Sequence, residues 1–111
     1  MSTIFGKIIE GSIPCDKVFE NETVIAFKDI APVAPVHILI VPKKEIRNLQ
    51  ALQKDDFTLI GDVIEVAQKL AKDYGIEDGY RLLTNNGKGA GQTIFHLHFH
   101  LIGGRHLETL G

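Results

Sequence analysis

His96-Leu97-His98-Phe99-His100-Leu101-Ile102 places three of the chain's five histidines at alternate positions. In an extended strand successive side chains point to opposite faces, so these three imidazoles share one face at intervals of roughly 6 to 7 Å. Phe95, Leu97, Phe99 and Leu101 then turn to the core on the other face. The spacing predicts a strand from Thr93 to Ile102, with a row of imidazoles along an open cleft.

Two chemistries use such a row. His-x-His on a strand presents two ligands to a divalent metal, with His37 available as a third, although no carboxylate or cysteine has a spacing that completes the set. Alternatively, one neutral imidazole attacks phosphorus while its neighbours hold its tautomer and bind the phosphate oxygens. The preceding loop, Asn85-Asn-Gly-Lys-Gly-Ala-Gly-Gln92, favours the second chemistry. Gly87, Gly89 and Gly91 let backbone amides turn toward an anion, and Gln92 and Thr93 add side-chain donors. The GxxxxGK[ST] pattern of a Walker loop is absent, and a strand follows where that loop needs a helix.

Outward from this core motif, the rest of the chain reads as one domain without repeats or linkers. Ser2 caps a short helix through about Glu10, with Ile4, Phe5, Ile8 and Ile9 at helical spacing, stopped by Gly11 and Pro14. Lys17 to Glu20 and Thr23 to Asp29 form a hairpin around Asn21 and Glu22. Prolines 32 and 35 interrupt the chain before a β-branched strand from His37 to Val41, closed by Pro42. The clearest helix runs from a cap at Asp55 to Tyr74, with Ile60, Val63, Ile64, Ala67, Leu70, Ala71 and Tyr74 in one stripe and Gly75 as the stop. Tyr80 to Thr84 is the remaining strand. The class is α+β, a mostly antiparallel sheet of five strands with the long helix on one face.

Composition sets limits on function. The chain has 111 residues, 44% of them hydrophobic, enough for one domain that buries about two thirds of its unfolded surface. Twelve basic against fourteen acidic residues give a net charge of -2, which argues against a nucleic-acid-binding surface. Cys15 is the only cysteine, so neither an internal disulfide nor a cysteine-rich zinc cage can form. No apolar run reaches membrane-spanning length and no signal peptide is present, which points to the cytoplasm.

The motif at 96 to 102 resembles the His-φ-His-φ-His-φ-φ signature of the histidine triad (HIT) superfamily. The resemblance extends over residues 1 to 111 as a single HIT domain and is similar to the HINT-type nucleotide-binding branch of purine nucleoside phosphoramidases. Further support comes from Thr3-Ile-Phe-Gly-Lys-Ile-Ile9, Ala26-Phe-Lys-Asp-Ile30, Ala34-Pro-Val-His37, Val41-Pro-Lys-Lys44, Gly91-Gln-Thr93 and Gly103-Gly-Arg105.

The resemblance implies that His98 is the nucleophile, that His100 contacts the α-phosphate, and that His96 and His37 form the polar shell. It assigns Asp29 to the ribose hydroxyls. Ile4, Phe5, Ile8, Phe27 and Ile30 fall to the base, and Asn85, Gly91, Gln92 and Thr93 to the phosphate side. The implied ligands are purine nucleoside monophosphate derivatives, hydrolysed without a cofactor by a homodimer whose sheets join. Dinucleoside polyphosphate hydrolysis and a non-catalytic nucleotide- or partner-binding role remain as alternatives. Relatives with structural zinc carry Cys-x-x-Cys and a later histidine where this chain has Thr3, Gly6 and Glu45, so no metal is expected. Retention of His100, which transferases of the superfamily replace by glutamine, favours hydrolysis over transfer. The tail after Arg105 lacks the tryptophan of many animal relatives, and that tail reaches the partner's site in the family.

Overall fold

The computed structural model describes residues 3–110, and its elements follow the order expected from sequence. Helix α1 (Ile4–Glu10) is capped by Thr3, whose Oγ1 accepts a hydrogen bond from the Gly6 amide at 3.1 Å. Ser2, the expected cap, lies outside the described residues. Gly11 ends the helix with φ +86°, a left-handed conformation in which glycine avoids a Cβ clash.

Strands β1 (Lys17–Glu20) and β2 (Val24–Lys28) form the hairpin, its turn held by Asn21 Oδ1 accepting from the amides of Thr23 and Val24. With β3 (Val36–Pro42), β4 (Tyr80–Leu83) and β5 (Phe99–Gly103) they make one antiparallel sheet in the order β1-β2-β3-β5-β4.

Helix α2 (Phe57–Asp73) covers one sheet face with buried Val63, Val66, Ala67, Leu70 and Ala71. Burial of a side chain such as Leu70 stabilises the fold by about 2 kcal/mol. The stripe is rotated from the expected one: Val66 belongs to it, whereas Ile64 and Tyr74 are 41% and 38% exposed at its margins. Nor does Asp55 cap α2. A 3-10 turn, Lys54–Asp56, leads directly into the helix, and the buried Asp56 fixes it by accepting from the Gln53 amide and the Lys44 ammonium.

The second face is covered as well. Ile25, Phe27, Leu39 and Val41 alternate away from α2 and pack with Phe5 of α1, the Phe5 and Phe27 rings meeting edge to face with centroids 5.5 Å apart. Burial on both sides explains why every residue of β3 is buried, whereas a half-exposed antiparallel strand would alternate. Among the described residues no helix is long and apolar enough to cross a membrane.

The histidine segment departs from expectation at its start. Strand β5 begins at Phe99, not Thr93. The ladder pairs Ile40 with Phe99, and continuing it would set Leu97 opposite Pro42, which has no amide hydrogen to donate. Residues 94–98 are instead pinned by other bonds: the Leu97 amide donates to the Ile46 carbonyl at 2.6 Å, and Thr84 Oγ1 donates to the His98 carbonyl at 2.7 Å.

Candidate active site

The register of β3 and β5 brings His37 and His100 onto the α1 side of the sheet. His37 pairs with Ile102 and Leu39 with His100, so the two histidines are diagonal neighbours on one face. Backbone groups whose roles are fixed then settle the imidazole tautomers. The Val33 amide can only donate, and it donates to His37 Nδ1 at 3.1 Å, so the His37 proton sits on Nε2. That proton points to His100 Nδ1 at 2.9 Å, which leaves the His100 proton on Nε2.

At His98 the opposite tautomer holds. Its Nδ1–H donates to the His96 carbonyl at 2.7 Å, leaving Nε2 with a bare lone pair. Burial holds the His98 imidazole below its ordinary pKa, assisted by His96 and opposed by the bond to the His96 carbonyl and by Asp29. Burial, then His98 and His37, push His100 down to about 4 against the pull of Asp29. Both rings are therefore neutral at pH 7, one as an acceptor and the other as a donor.

His96 has a different setting. It is 1% exposed, its Nε2–H donates to the Pro42 carbonyl at 2.8 Å, and Thr3 Oγ1 lies 3.4 Å from its Nδ1. It stands behind the site and holds the segment that carries His98.

His98 and His100, with ring centroids 5.2 Å apart, form the polar end of a cavity of about 370 Å³. The apolar walls come from Ile4, Phe5 and Ile8 of α1, with Phe27 and Ile30 opposite. Asp29 also lines this cavity. Its Oδ1 accepts from the Ala31 amide at 2.8 Å and its Oδ2 lies 3.3 Å from His37 Nε2. Because His37 Nδ1 is an acceptor and its Nε2 proton is directed to His100, this approach is a contact of the carboxylate with a neutral ring and not an ion pair.

Asp29, His37 and His100 offer ligand atoms within 4.8 Å of one another, the carboxylate that sequence spacing did not supply for a metal site. The tautomers do not fit a metal. Metal bound at His37 Nε2 would move the proton to Nδ1, directly against the Val33 N–H. The cluster is a hydrogen-bond relay from the Val33 amide to the cavity.

The HIT domain family model matches residues 10–107, across the relay and the cavity wall from Ile13 onward. The chain belongs to the HIT domain family. An uncharacterized HIT-like protein of Chlamydia muridarum (strain MoPn / Nigg) is 56% identical over 110 residues, 99% of this chain and 87% of that protein. The crystal structure of a HIT family hydrolase from Legionella pneumophila Philadelphia 1 superposes with a TM-score of 0.94 at 42% identity, covering 96% of each chain. A histidine triad nucleotide-binding protein from Candida albicans superposes with a TM-score of 0.82 at 35% identity, over 99% of this chain and 87% of that one.

In this member of the HIT domain family, Phe5, Ile8, Phe27, Asp29, Ile30, Thr93, His98 and His100 all line the same cavity. His37 and His96 are not in its wall but contact residues that are, His100 and Phe5 respectively. Four amides of the glycine loop are bonded within it. The amides of Ala90 and Gln92 donate to the Gly87 carbonyl, that of Gly91 to the Lys88 carbonyl, and that of Gly87 to Gln92 Oε1. Gln92 is 3% exposed and its Nε2 donates to the carbonyls of Arg47 and Ile94, so its side chain clamps the loop from within. Gly91 and the half-buried Asn85 are likewise outside the cavity wall. Leu39 and Ile94 line the wall without having been expected. For Leu39 a signal existed, since it lies two residues after His37 on one strand and so shares its face.

Proposed function

We propose that this chain is a hydrolase that cleaves the P–N bond of purine nucleoside 5'-phosphoramidates through a nucleotidyl-histidine intermediate on His98. The observation that carries this reading is the His98 tautomer: Nδ1–H is held by the His96 carbonyl, and the free Nε2 lone pair belongs to a ring in the cavity wall. Nε2 forms a bond to phosphorus as the P–N bond breaks, and the amine leaves with a proton taken from solvent, which the attacking water returns in the second step. Water then cleaves the N–P bond of the intermediate and restores the imidazole. His100, protonated on Nε2, donates to a phosphate oxygen, and a preorganised neutral donor of this kind stabilises the charge that builds on phosphorus.

Asp29 takes the ribose hydroxyls as an ionised acceptor, and the base lies between α1 and Phe27. Ile30 is fully exposed at the cavity rim and is covered when a base enters. Thr93, the loop-exit residue that lines the cavity, is the phosphate-side contact among those expected. We assign Gly91 and Gln92 to holding the loop. A cytoplasmic location accords with the lone cysteine.

The relatives described as hydrolase and as nucleotide-binding protein support the reading. A side-by-side rate comparison tests it: kcat/KM for an adenosine 5'-phosphoramidate of a simple amine is expected to exceed that for a diadenosine polyphosphate at least tenfold, about 1.4 kcal/mol in transition-state binding. The reverse order makes the chain a dinucleoside polyphosphate hydrolase, and binding of AMP without turnover of either makes it a non-catalytic module.

The resemblance also implies a homodimer. Both lateral strands of the sheet have an unpaired side, but β1 has a register irregularity and charged ends at Lys17 and Glu20, which discourage pairing. We therefore place the joint at β4, the other edge. Sedimentation is expected to give the mass of two chains at micromolar concentration, and a monomer at high micromolar concentration removes the joint.

A further inference from the structure

The turn after β5 connects to the site by a route that the chemistry above does not use. Gly104 turns with φ +94°, and a Cβ at that position would lie 3.0 Å from Pro35 Cβ, so the chain leaves β5 pressed against the 31–35 loop. The next residue, Arg105, reaches back across this contact. Its Nη2 donates to the Val33 carbonyl at 2.9 Å, and its Nη1 donates to the His106 carbonyl at 2.8 Å. The amide of that same Val33 holds His37 Nδ1, and His37 holds His100.

We infer that Arg105 is a positioning residue for the phosphate-facing histidine, acting through the Val33 backbone and His37. The 31–35 loop has two prolines and an exposed Val33, so little packing orients the Val33 peptide groups. A guanidinium bonded to one carbonyl of the loop and to its own neighbour's carbonyl fixes that orientation from outside. With the Val33 amide aimed at His37 Nδ1, only the tautomer with a proton on Nε2 is stable. The His100 proton is thereby directed into the cavity. Arg105 is not in the cavity wall, so this action differs from direct attraction of an anionic substrate.

The inference rests on the proposed hydrolysis for its kinetic arm only. In Arg105→Gln, ring-nitrogen NMR is expected to show His37 shifting from the single Nε2–H tautomer to a mixture, and kcat to fall about tenfold with KM changed less than twofold. Arg105→Lys keeps a donor within reach of the Val33 carbonyl and is expected to recover most of both. Unchanged ring spectra in Arg105→Gln overturn the inference, as does a loss confined to KM that disappears at high salt, which marks a charge acting at a distance. If Arg105→Gln does not fold, the lysine variant decides through the same spectra, a tautomer mixture despite the retained charge counting against the proposal. Absence of turnover by the unmodified chain defeats the hydrolase reading, and the His37 spectra still decide the role of Arg105.

Discussion

Replacing His98 with asparagine is expected to lower phosphoramidate turnover about 10³-fold or more while leaving the melting transition nearly in place. Among His37, His96, His98 and His100, the His98 ring alone keeps a nitrogen lone pair without a hydrogen-bond partner. It donates to the carbonyl of His96, two residues away, and meets the Phe5 ring edge to face with centroids 4.8 Å apart, so the substitution removes one local bond and one ring contact. Single-turnover rates on an AMP-amine, read with acid quench for a nucleotidyl adduct, check the claim; undiminished turnover in the variant removes His98 as nucleophile. The pH profile gives a second reading of the same group. The reactive form is neutral, and burial lowers the His98 pKa, so kcat/KM should be flat through neutrality and fall only below about pH 6.5. An acid limb centred above that value contradicts the assignment. Stability moves in the same direction. Between the ordinary imidazole value and about 4 for His100, the unfolded chain binds protons that the folded chain refuses, so stability declines as pH falls through that window.

What the sequence revealed and what it concealed divide along one physical line. Elements set by local periodicity were legible: the β2 and β3 strands, the long helix, and the alternation that sends Leu97, Phe99 and Leu101 to the α2 side and His100 to the cavity. The start of β5 was not, because it depends on the missing amide of Pro42 across the sheet, 55 residues before Leu97 in the chain. A glycine-rich loop next to histidines suggests an anion cradle that includes Gly91 and Gln92. The amides of Gly87, Ala90, Gly91 and Gln92 are bonded within the loop, which no local pattern reports. Asp29 joined the site through the pairing of its amide with the His37 carbonyl at 3.0 Å, a tertiary contact between β2 and β3. Resemblance to a family located that residue where spacing could not. Thr84, which holds the His98 backbone from the end of β4, carried no signal at all.

The first histidine of the motif should behave as the opposite of the second. His96→Ala is expected to cost about 2 to 4 kcal/mol of folding stability, read as a lower denaturation midpoint at unchanged slope. His96 is 1% exposed, meets the Phe5 ring edge to face with centroids 6.3 Å apart, and supplies the donor for the Pro42 carbonyl. Truncation leaves both an apolar void and an unpaired buried acceptor at the end of β3. The His96 carbonyl that holds His98 belongs to the backbone and survives the substitution, so the folded fraction should retain far more turnover than His98→Asn does. A stability loss under 1 kcal/mol, or a catalytic loss equal to that of His98→Asn at full folding, would place His96 in the chemistry instead. Within one motif of alternating histidines, the nearest neighbours of His98 thus divide by environment: His96 serves the core and His100 faces the cavity, because the sheet ladder ends between them.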